Sequence, residues 1–443
     1  MTPKTKTSSK NKIASTDKSK AGKTASTDLM TSINKLTPKQ KTLYLGHVQT
    51  SANWYSNTQC TDASPWGPVR NLSDDGRFVY EVYKGTNWMR GAGVWAQAQA
   101  IMNLCDLHVR LGRKGKYNSV AMAGVRYLLS LQCLDFRRKD CIGAFWEHTP
   151  MDTISLVRDG ATGCFALNYL YAHTGEKEYL DRAKLFCDWY MNYGSQKADC
   201  WPYMYFDFPT GKAHSHKTGN AVGIDGETMD EDGVDGDGQA GGALAYFYTA
   251  LQSGEEKYME EAFKPVIEKL TRLFEQYGDD PTHSGWHGDS PITDGNDDFA
   301  LIALMAAFRY YKDDRYLTQI KKRMPVLLSW MAEDGSYPNF GAEFTIPIEY
   351  IEYLRLAKDF GFDDHVDAIK ATLEKSATFG MTLQERTMND RFFYGGLYGQ
   401  TSYGSERDRI HQRSTGYSMN FYLKYEGGYF PRSFSSYGWG LEK

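Results

Sequence analysis

The segment from His214 to Gly238, HSHKTGNAVGIDGETMDEDGVDGDG, gathers more carboxyl groups than any other part of the chain. Asp225, Glu227, Asp230, Glu231, Asp232, Asp235 and Asp237 lie within a short stretch in which Lys217 is the single Lys or Arg. Carboxylates this crowded cannot all ionise, so one of them is placed to keep a proton and act as a general acid. Asp237 also stands at the N-cap of an apolar helix, QAGGALAYFYTAL, where backbone N–H groups pull a carboxyl pKa down. Crowding and capping therefore act on Asp237 in opposite directions. Asp159, in RDGATG, stands at the start of another apolar helix and poses the same choice between a cap and a proton-transfer group.

The acidic run admits a second chemistry. DEDGVDGDG alternates acids with Gly as calcium loops do, with Asp230, Asp232 and Asp235 as the oxygen ligands, although it lacks the closing bidentate Glu of an EF-hand. A calcium ion there would make Asp237 structural and leave proton transfer to Asp159, Glu147 or Glu227. His214, His216, His283, His287 and His411 have neither zinc-protease nor zinc-finger spacing.

Aromatic residues make up 14% of the chain, with 31 Tyr and 10 Trp, and many sit in Gly-rich loops. Trp88, Trp146, Trp201 and Trp286 are candidates to stack on the C–H face of a sugar ring. Trp189 and Trp330 fall at apolar positions of amphipathic helices and read as core. With 443 residues, 41% of them hydrophobic, the chain can bury a large core. A net charge of -4 with interspersed signs argues against nucleic acid, and no window has the apolar length of a membrane span. Residues 1–30, rich in Lys, Ser and Thr, read as a disordered tail without the hydrophobic run of a secretory signal, which favours a cytoplasmic protein. The 7 Cys include no CxxC pair; Cys105, Cys164 and Cys187 read as buried thiols, while Cys60, Cys141 and Cys200 lie in loops where a disulfide is open.

The elements that must position these groups are helical hairpins, and they repeat. A helix from Leu36 to Val48, with Thr37 as N-cap and Pro38 at its first position, precedes a long loop that contains Trp54. The pairs then run from Trp88 to Gln132, Asp159 to Tyr193, Asp237 to Tyr277, Asn296 to Met331 and Pro347 to Phe379, with turns such as TGEKEYL, SGEEKYM and KDDRYL. A last helix, Thr415 to Tyr425, has no following partner, and the helix near Leu36 is free to supply one. In each pair the first helix is apolar nearly all round and the second has a charged face, the pattern of a buried helix and its cover. Six buried helices ringed by six covers predict an all-α (α/α)6 toroid over residues 31–443. The long loops entering the buried helices would then gather on one face, where helix N-termini favour an anion.

The Asp-Gly starts of the buried helices, the turns of the TGEKEYL kind and the phrase RYLLSLQ followed by GAFWE resemble the six-hairpin glycosidases. Within them the chain most resembles the unsaturated glucuronyl and rhamnogalacturonyl hydrolases and related glucuronidases. That resemblance implies a glycosidase that removes a terminal uronic acid from acidic oligosaccharides, needs no cofactor, and uses aspartates at the entrances of successive inner helices, which map onto Asp159 and Asp237. Arg90, Arg158 and Arg409 would hold the substrate carboxylate, with Trp88, Trp146, Glu147, Trp201, His214, His216, Glu227, Trp286, His287 and His411 around it. The same toroid hosts lyases, for which Tyr394, Tyr398, Tyr403, Arg409 and His411 are the candidates, as well as sugar epimerases and non-catalytic glycan-binding proteins.

Overall fold

The structure is a computed structural model that describes residues 36–61, 74–84, 89–214, 240–279, 300–337, 342–387, 389–401 and 404–427. Among the described residues there are twelve α-helices: α1 Pro38–Thr58, α2 Val94–Arg110, α3 Tyr117–Ser130, α4 Val157–Thr174, α5 Lys177–Trp189, α6 Leu244–Ser253, α7 Lys264–Tyr277, α8 Ala300–Tyr311, α9 Asp314–Ser329, α10 Ala342–Phe360, α11 Val366–Gly380 and α12 Gln412–Glu426. The even-numbered helices form the inner ring. Each packs on the next, α6 reaching α8 through the 3-10 turn Gly241–Ala243 that leads into it, and α12 packs back on α2, so the ring is closed. The odd-numbered helices cover it, and α1 lies against α12 as the partner that the last helix lacks in sequence.

Burial explains this division. Every residue of α2 from Val94 to Leu107 is buried, as is every residue of α12. Close approach inside the ring depends on missing side chains: a Cβ at Gly163 of α4 would lie 2.9 Å from Val94 Cγ1, and one at Gly416 of α12 would lie 2.0 Å from Gln99 Oε1. At the far end, α4 and α6 stop at left-handed Gly175 and Gly254, whose positive φ closes the short turns. There Lys424 of α12 meets Glu352 of α10 at 2.7 Å with neither side chain exposed, and Arg110 of α2 pairs with Glu426. Cations at helix C-termini complement the negative ends of the helix dipoles.

Several sequence expectations need correction. Helix α1 keeps its predicted Thr37 N-cap, which bonds reciprocally with Gln40 in a capping box, but it continues to Thr58 because Val48, Ser51, Ala52 and Tyr55 carry its buried stripe past Val48. Trp54 is therefore core rather than loop. Helix α2 begins at Val94, not Trp88, since Met89–Gly91 is a strand. Helix α10 begins at Ala342 and carries Pro347 inside it. The toroid is also not purely helical. Two small antiparallel sheets cover the long-loop face: β1 Val79–Tyr83, β2 Met89–Gly91, β6 Tyr398–Thr401 and β7 Gly404–His411 in the order β2-β1-β7-β6, and β3 Ile154–Leu156, β4 Tyr205–Asp207 and β5 Lys212–His214 in the order β3-β4-β5.

None of the seven cysteines, Cys60, Cys141 and Cys200 included, forms a disulfide. Among the described residues no helix is long and apolar enough to cross a membrane. The Lys/Ser/Thr-rich tail lies outside the described residues.

Candidate active site at the mouth of the toroid

The first sheet joins the loops that enter α2 and α12. Glu81 of β1 stands directly opposite Arg90 of β2 and His411 of β7, and directly opposed residues project on the same side of an antiparallel sheet. The Glu81 carboxylate accepts from Arg409 at 2.6 Å and lies 3.7 Å from Arg90, while Arg409 also donates to the Tyr83 hydroxyl at 3.0 Å. A β-bulge between Val79 and Glu81 leaves Tyr80 as the extra residue and re-aims it. The Tyr80 ring meets the His411 ring edge-on at 4.7 Å, and the Arg90 guanidinium lies 5.3 Å from the centre of the Tyr80 ring.

His411 is the N-cap of α12, and its Nδ1 accepts the backbone N–H of Arg413 at 3.2 Å. The ring proton is therefore on Nε2. Burial, then the charges of Arg409, Arg413 and Arg90, hold its pKa well below the ordinary histidine value, so the imidazole stays neutral.

The second group ties α2 to α4. The Glu147 backbone N–H donates to Ile154 at 3.0 Å, its carbonyl accepts from Val94 at 2.9 Å, and Oε2 accepts from Leu156 N–H at 3.2 Å. Glu147 is thus fixed against the first residues of both inner helices, and Gly93, the N-cap of α2, leaves room for it. A Cβ at Gly93 would lie 2.7 Å from Glu147 Oε1.

Asp159 lies at the third position of α4, whose N-cap is Leu156, so the expected capping role is incorrect: its side chain turns to Glu147 and Arg158 instead. Burial pushes the Glu147 carboxyl well above the usual carboxylate range, and the charge of Asp159 and the hydrogen bond between the two side chains push it further. Both effects favour the protonated form of Glu147. Arg158 Nη2 reaches Asp159 Oδ1 at 3.4 Å.

A third pair escaped the sequence reading. The His148 ring nitrogen Nδ1 lies 3.3 Å from Asp152 Oδ2, and Nε2 lies 3.4 Å from Arg90 Nη2. Arg90 thereby connects the sheet group to the Glu147 loop. The only sequence trace of this pair is a His and an Asp four residues apart in a turn-rich loop, HTPMD.

The remaining candidates separate. Arg90, Glu147, Arg158, Asp159, Arg409 and His411 are brought together. Trp146, half-buried beside Glu147, packs on Phe208 with ring centres 5.8 Å apart and stays at the rim. Trp201 is 0% exposed and covered by the Lys269 ammonium 4.6 Å from its ring, so it is core and has no face to offer a sugar. His214 ends β5 and packs on Tyr205 at 5.0 Å. Among the lyase candidates, Tyr398 is buried with its hydroxyl bound to Glu385, and Tyr394 is exposed. Asp237, Trp88, His216, Glu227, Trp286, His287, Tyr403 and the proposed calcium ligands Asp230, Asp232 and Asp235 lie outside the described residues.

No family model matches the chain, and no curated protein matches it. Solved structures do. The chain is similar to a cellobiose 2-epimerase from Bacillus thermoamylovorans, with a TM-score of 0.62, 12% identity and coverage of 87% of this chain and 99% of that one. A D-mannose isomerase gives a TM-score of 0.60 at 13% identity over 88% and 97% of the two chains. An inactive double Asp→Asn variant of a Salegentibacter α-1,6-mannanase, in complex with α-1,6-mannotriose, gives 0.55 at 12% identity over 87% and 99%. The chain has the (α/α)6-toroid fold. In such a toroid the N-terminal ends of the inner helices meet at one mouth, which is where Glu147, Asp159, Arg90 and His411 stand.

Proposed function

We propose that the protein is a carbohydrate-active enzyme, a glycoside hydrolase that removes a terminal uronic acid from acidic oligosaccharides, with Glu147 as the proton donor. The observation that carries this reading is the buried carboxyl pair: burial, then the charge and hydrogen bond of Asp159, raise the Glu147 pKa well above the ordinary Glu range, as a proton donor needs. The similar solved toroids, named for epimerisation, isomerisation and mannan cleavage, agree with a sugar as substrate.

The two carboxyls do not flank the scissile bond from opposite sides. Retaining and inverting glycosidases space such groups by about 5–5.5 Å and about 6.5–9.5 Å, whereas Glu147 and Asp159 are in hydrogen-bond contact. Glu147 takes the acid role here in place of Asp159, while Asp237, the other member of the expected pair, lies outside the described residues. Asp159 acts through Glu147, which donates the proton to the leaving oxygen of a saturated substrate or to the enol-ether double bond of an unsaturated one. Arg90, Arg158, Arg409 and Arg413 outnumber Glu81, Asp152 and Asp159 around it once Glu147 is neutral, which suits a substrate carboxylate.

One observation favours a second reading. A neutral imidazole at a helix N-terminus, donating through Nε2, is a group that polarises a sugar carbonyl, and His411 has that state, as an isomerase or epimerase requires. Incubating the protein with unsaturated glucuronyl disaccharides, an acidic polymer, cellobiose and mannose separates the cases. Loss of the ultraviolet absorbance of the enol ether, abolished in Glu147→Gln, supports the hydrolase. A rise from saturated polymer means a lyase, and interconverted cellobiose or mannose means an epimerase or isomerase; either result, without uronic acid release, overturns the proposal.

A further inference from the structure

The loop that carries Glu147 carries an imidazole placed to accept a proton. His148, with 36% of its side chain exposed, is gripped by Asp152, whose Oδ2 accepts the His148 backbone N–H at 3.1 Å and faces ring Nδ1 at 3.3 Å. Asp152 is itself fixed by the Thr153 N–H at 2.7 Å, and the Tyr127 hydroxyl holds the His148 carbonyl at 2.6 Å. Burial pushes the Asp152 carboxyl up, but the hydrogen bonds from His148 and Thr153 outweigh it and hold it below the usual carboxylate range. An ionised carboxylate only accepts, so Nδ1 carries the ring proton and Nε2 keeps its lone pair.

Glu147 and His148 are chain neighbours and both border the start of α2: a Cβ at Gly93 would lie 2.7 Å from Glu147 Oε1 and 3.5 Å from His148 Cδ2. His411 cannot take the same part, because its Nδ1 lone pair is used by Arg413 and its Nε2 is protonated. Glu147 and Asp159 cannot either, since they share the proton that has to be delivered.

We propose that His148, oriented by Asp152, is the base that activates the attacking water, and that Arg90 covers its Nε2 until a substrate carboxylate draws the guanidinium away. This rests on the hydrolase reading above. Nε2 takes one proton from water as the water oxygen bonds to the anomeric carbon. The bond to the leaving oxygen breaks, and that oxygen takes the Glu147 proton. The imidazolium then returns its proton to Glu147, so one water is consumed and both groups are reset. With an unsaturated uronyl group the same two residues deliver the proton and the hydroxyl across the double bond.

Glu147→Gln, His148→Gln, His148→Gly and Asp152→Asn should be compared on unsaturated glucuronyl disaccharides and on nitrophenyl glucuronide. His148→Gln is expected to lower kcat by about 10²–10⁴-fold, the range for loss of a general base, and to remove the acid limb of the kcat/KM profile. Added imidazole should restore activity to His148→Gly, a rescue that a purely structural role does not give. If Glu147→Gln is inactive while His148→Gln stays within about threefold of wild type, the hydrolase stands and this inference is wrong. If Glu147→Gln keeps wild-type activity, the reading beneath it is wrong. Nitrogen NMR of the His148 ring tests the proposal without turnover: an Nδ1-protonated ring whose Nε2 resonance moves on adding glucuronate supports it, and an Nε2-protonated ring overturns it.

Discussion

Buried neutral histidine makes the fold sensitive to acid, and His47 shows by how much. It lies on α1 facing α12, with Nε2 2.8 Å from the Ser418 hydroxyl and its ring 4.5 Å from that of Tyr422, while Nδ1 is buried without a hydrogen-bond partner. Burial, then the charge of Arg386, lowers its pKa to about 3. An unfolded histidine titrates near 6.5, so between these values the unfolded chain binds a proton that the folded chain refuses, and stability falls as pH decreases. The contribution is fully present above about pH 6.5; at 1.36 kcal/mol per pH unit it shrinks by about 2 kcal/mol at pH 5 and about 5 kcal/mol near pH 3. Against a total stability of roughly 5–15 kcal/mol, that is enough to unfold a marginal variant. His47→Gln keeps a donor for Ser418 but cannot titrate. Urea melts of both proteins between about pH 7.5 and 4.5 should show a shallower acid loss in the variant, by close to one proton below the histidine pKa. His411 titrates in the same direction in both proteins and cancels in the difference. Equal acid slopes would refute the reasoning, because they would mean that His47 gains its proton inside the folded protein.

Other expectations follow from the same kind of accounting. Lys424→Met should cost up to about 3–5 kcal/mol in denaturant melts by removing the 2.7 Å partner of the buried Glu352 carboxylate, which keeps Arg355 only at 3.9 Å, and the double variant with Glu352→Leu should recover most of it. In the unmodified protein, activity should fall as pH rises through the raised pKa of Glu147, whose proton also stabilises the fold only below that value; Asp159→Asn should move this basic limb to lower pH, read from the kcat profile. Trp201→Ala should destabilise by about 3–5 kcal/mol, as a buried Trp does, whereas Trp146→Ala at the rim should raise KM for oligosaccharides with a much smaller change in melting temperature.

What could be read from the sequence follows from how each feature is encoded. Inner and outer helices declare themselves mostly through local periodicity, because α8 is apolar on every side and α5, α7 and α9 are not, whereas α12 is buried all round despite a largely polar sequence. The closing contact of α1 with α12 was legible only by elimination, as one unpaired helix at each end of the repeat. Strands were not legible: VYEVY is five residues long, and its partner strand β7, which ends in RIH, lies at the other end of the chain. Trp201 looks like loop surface in CWP, and only the Lys269 side chain from α7 shows that it is covered.

The candidate site illustrates the same limit, with a chemical consequence. Arg90, Glu147, Arg158, Asp159, Arg409 and His411 were recognisable as types that belong near an anionic sugar, yet their roles depend on contacts that no local pattern carries. Asp159 received its acid/base role from the resemblance, which places aspartates at the entrances of inner helices, although a helix N-terminus favours the charged form. The residue held protonated is Glu147, since it is the more enclosed of the two and Asp159 is within reach of Arg158. His148 was passed over for the converse reason: its fixed tautomer comes from Asp152 across a turn, and its counter-ligand Arg90 from a strand of a different loop. The mouth of this toroid is therefore built from paired groups whose protonation is decided between elements, Glu147 by α4, His148 by its own loop and His411 by α12. Replacing any one partner should change the proton state of the other before it changes the fold, which is why the paired variants and their pH profiles are more decisive than loss of activity alone.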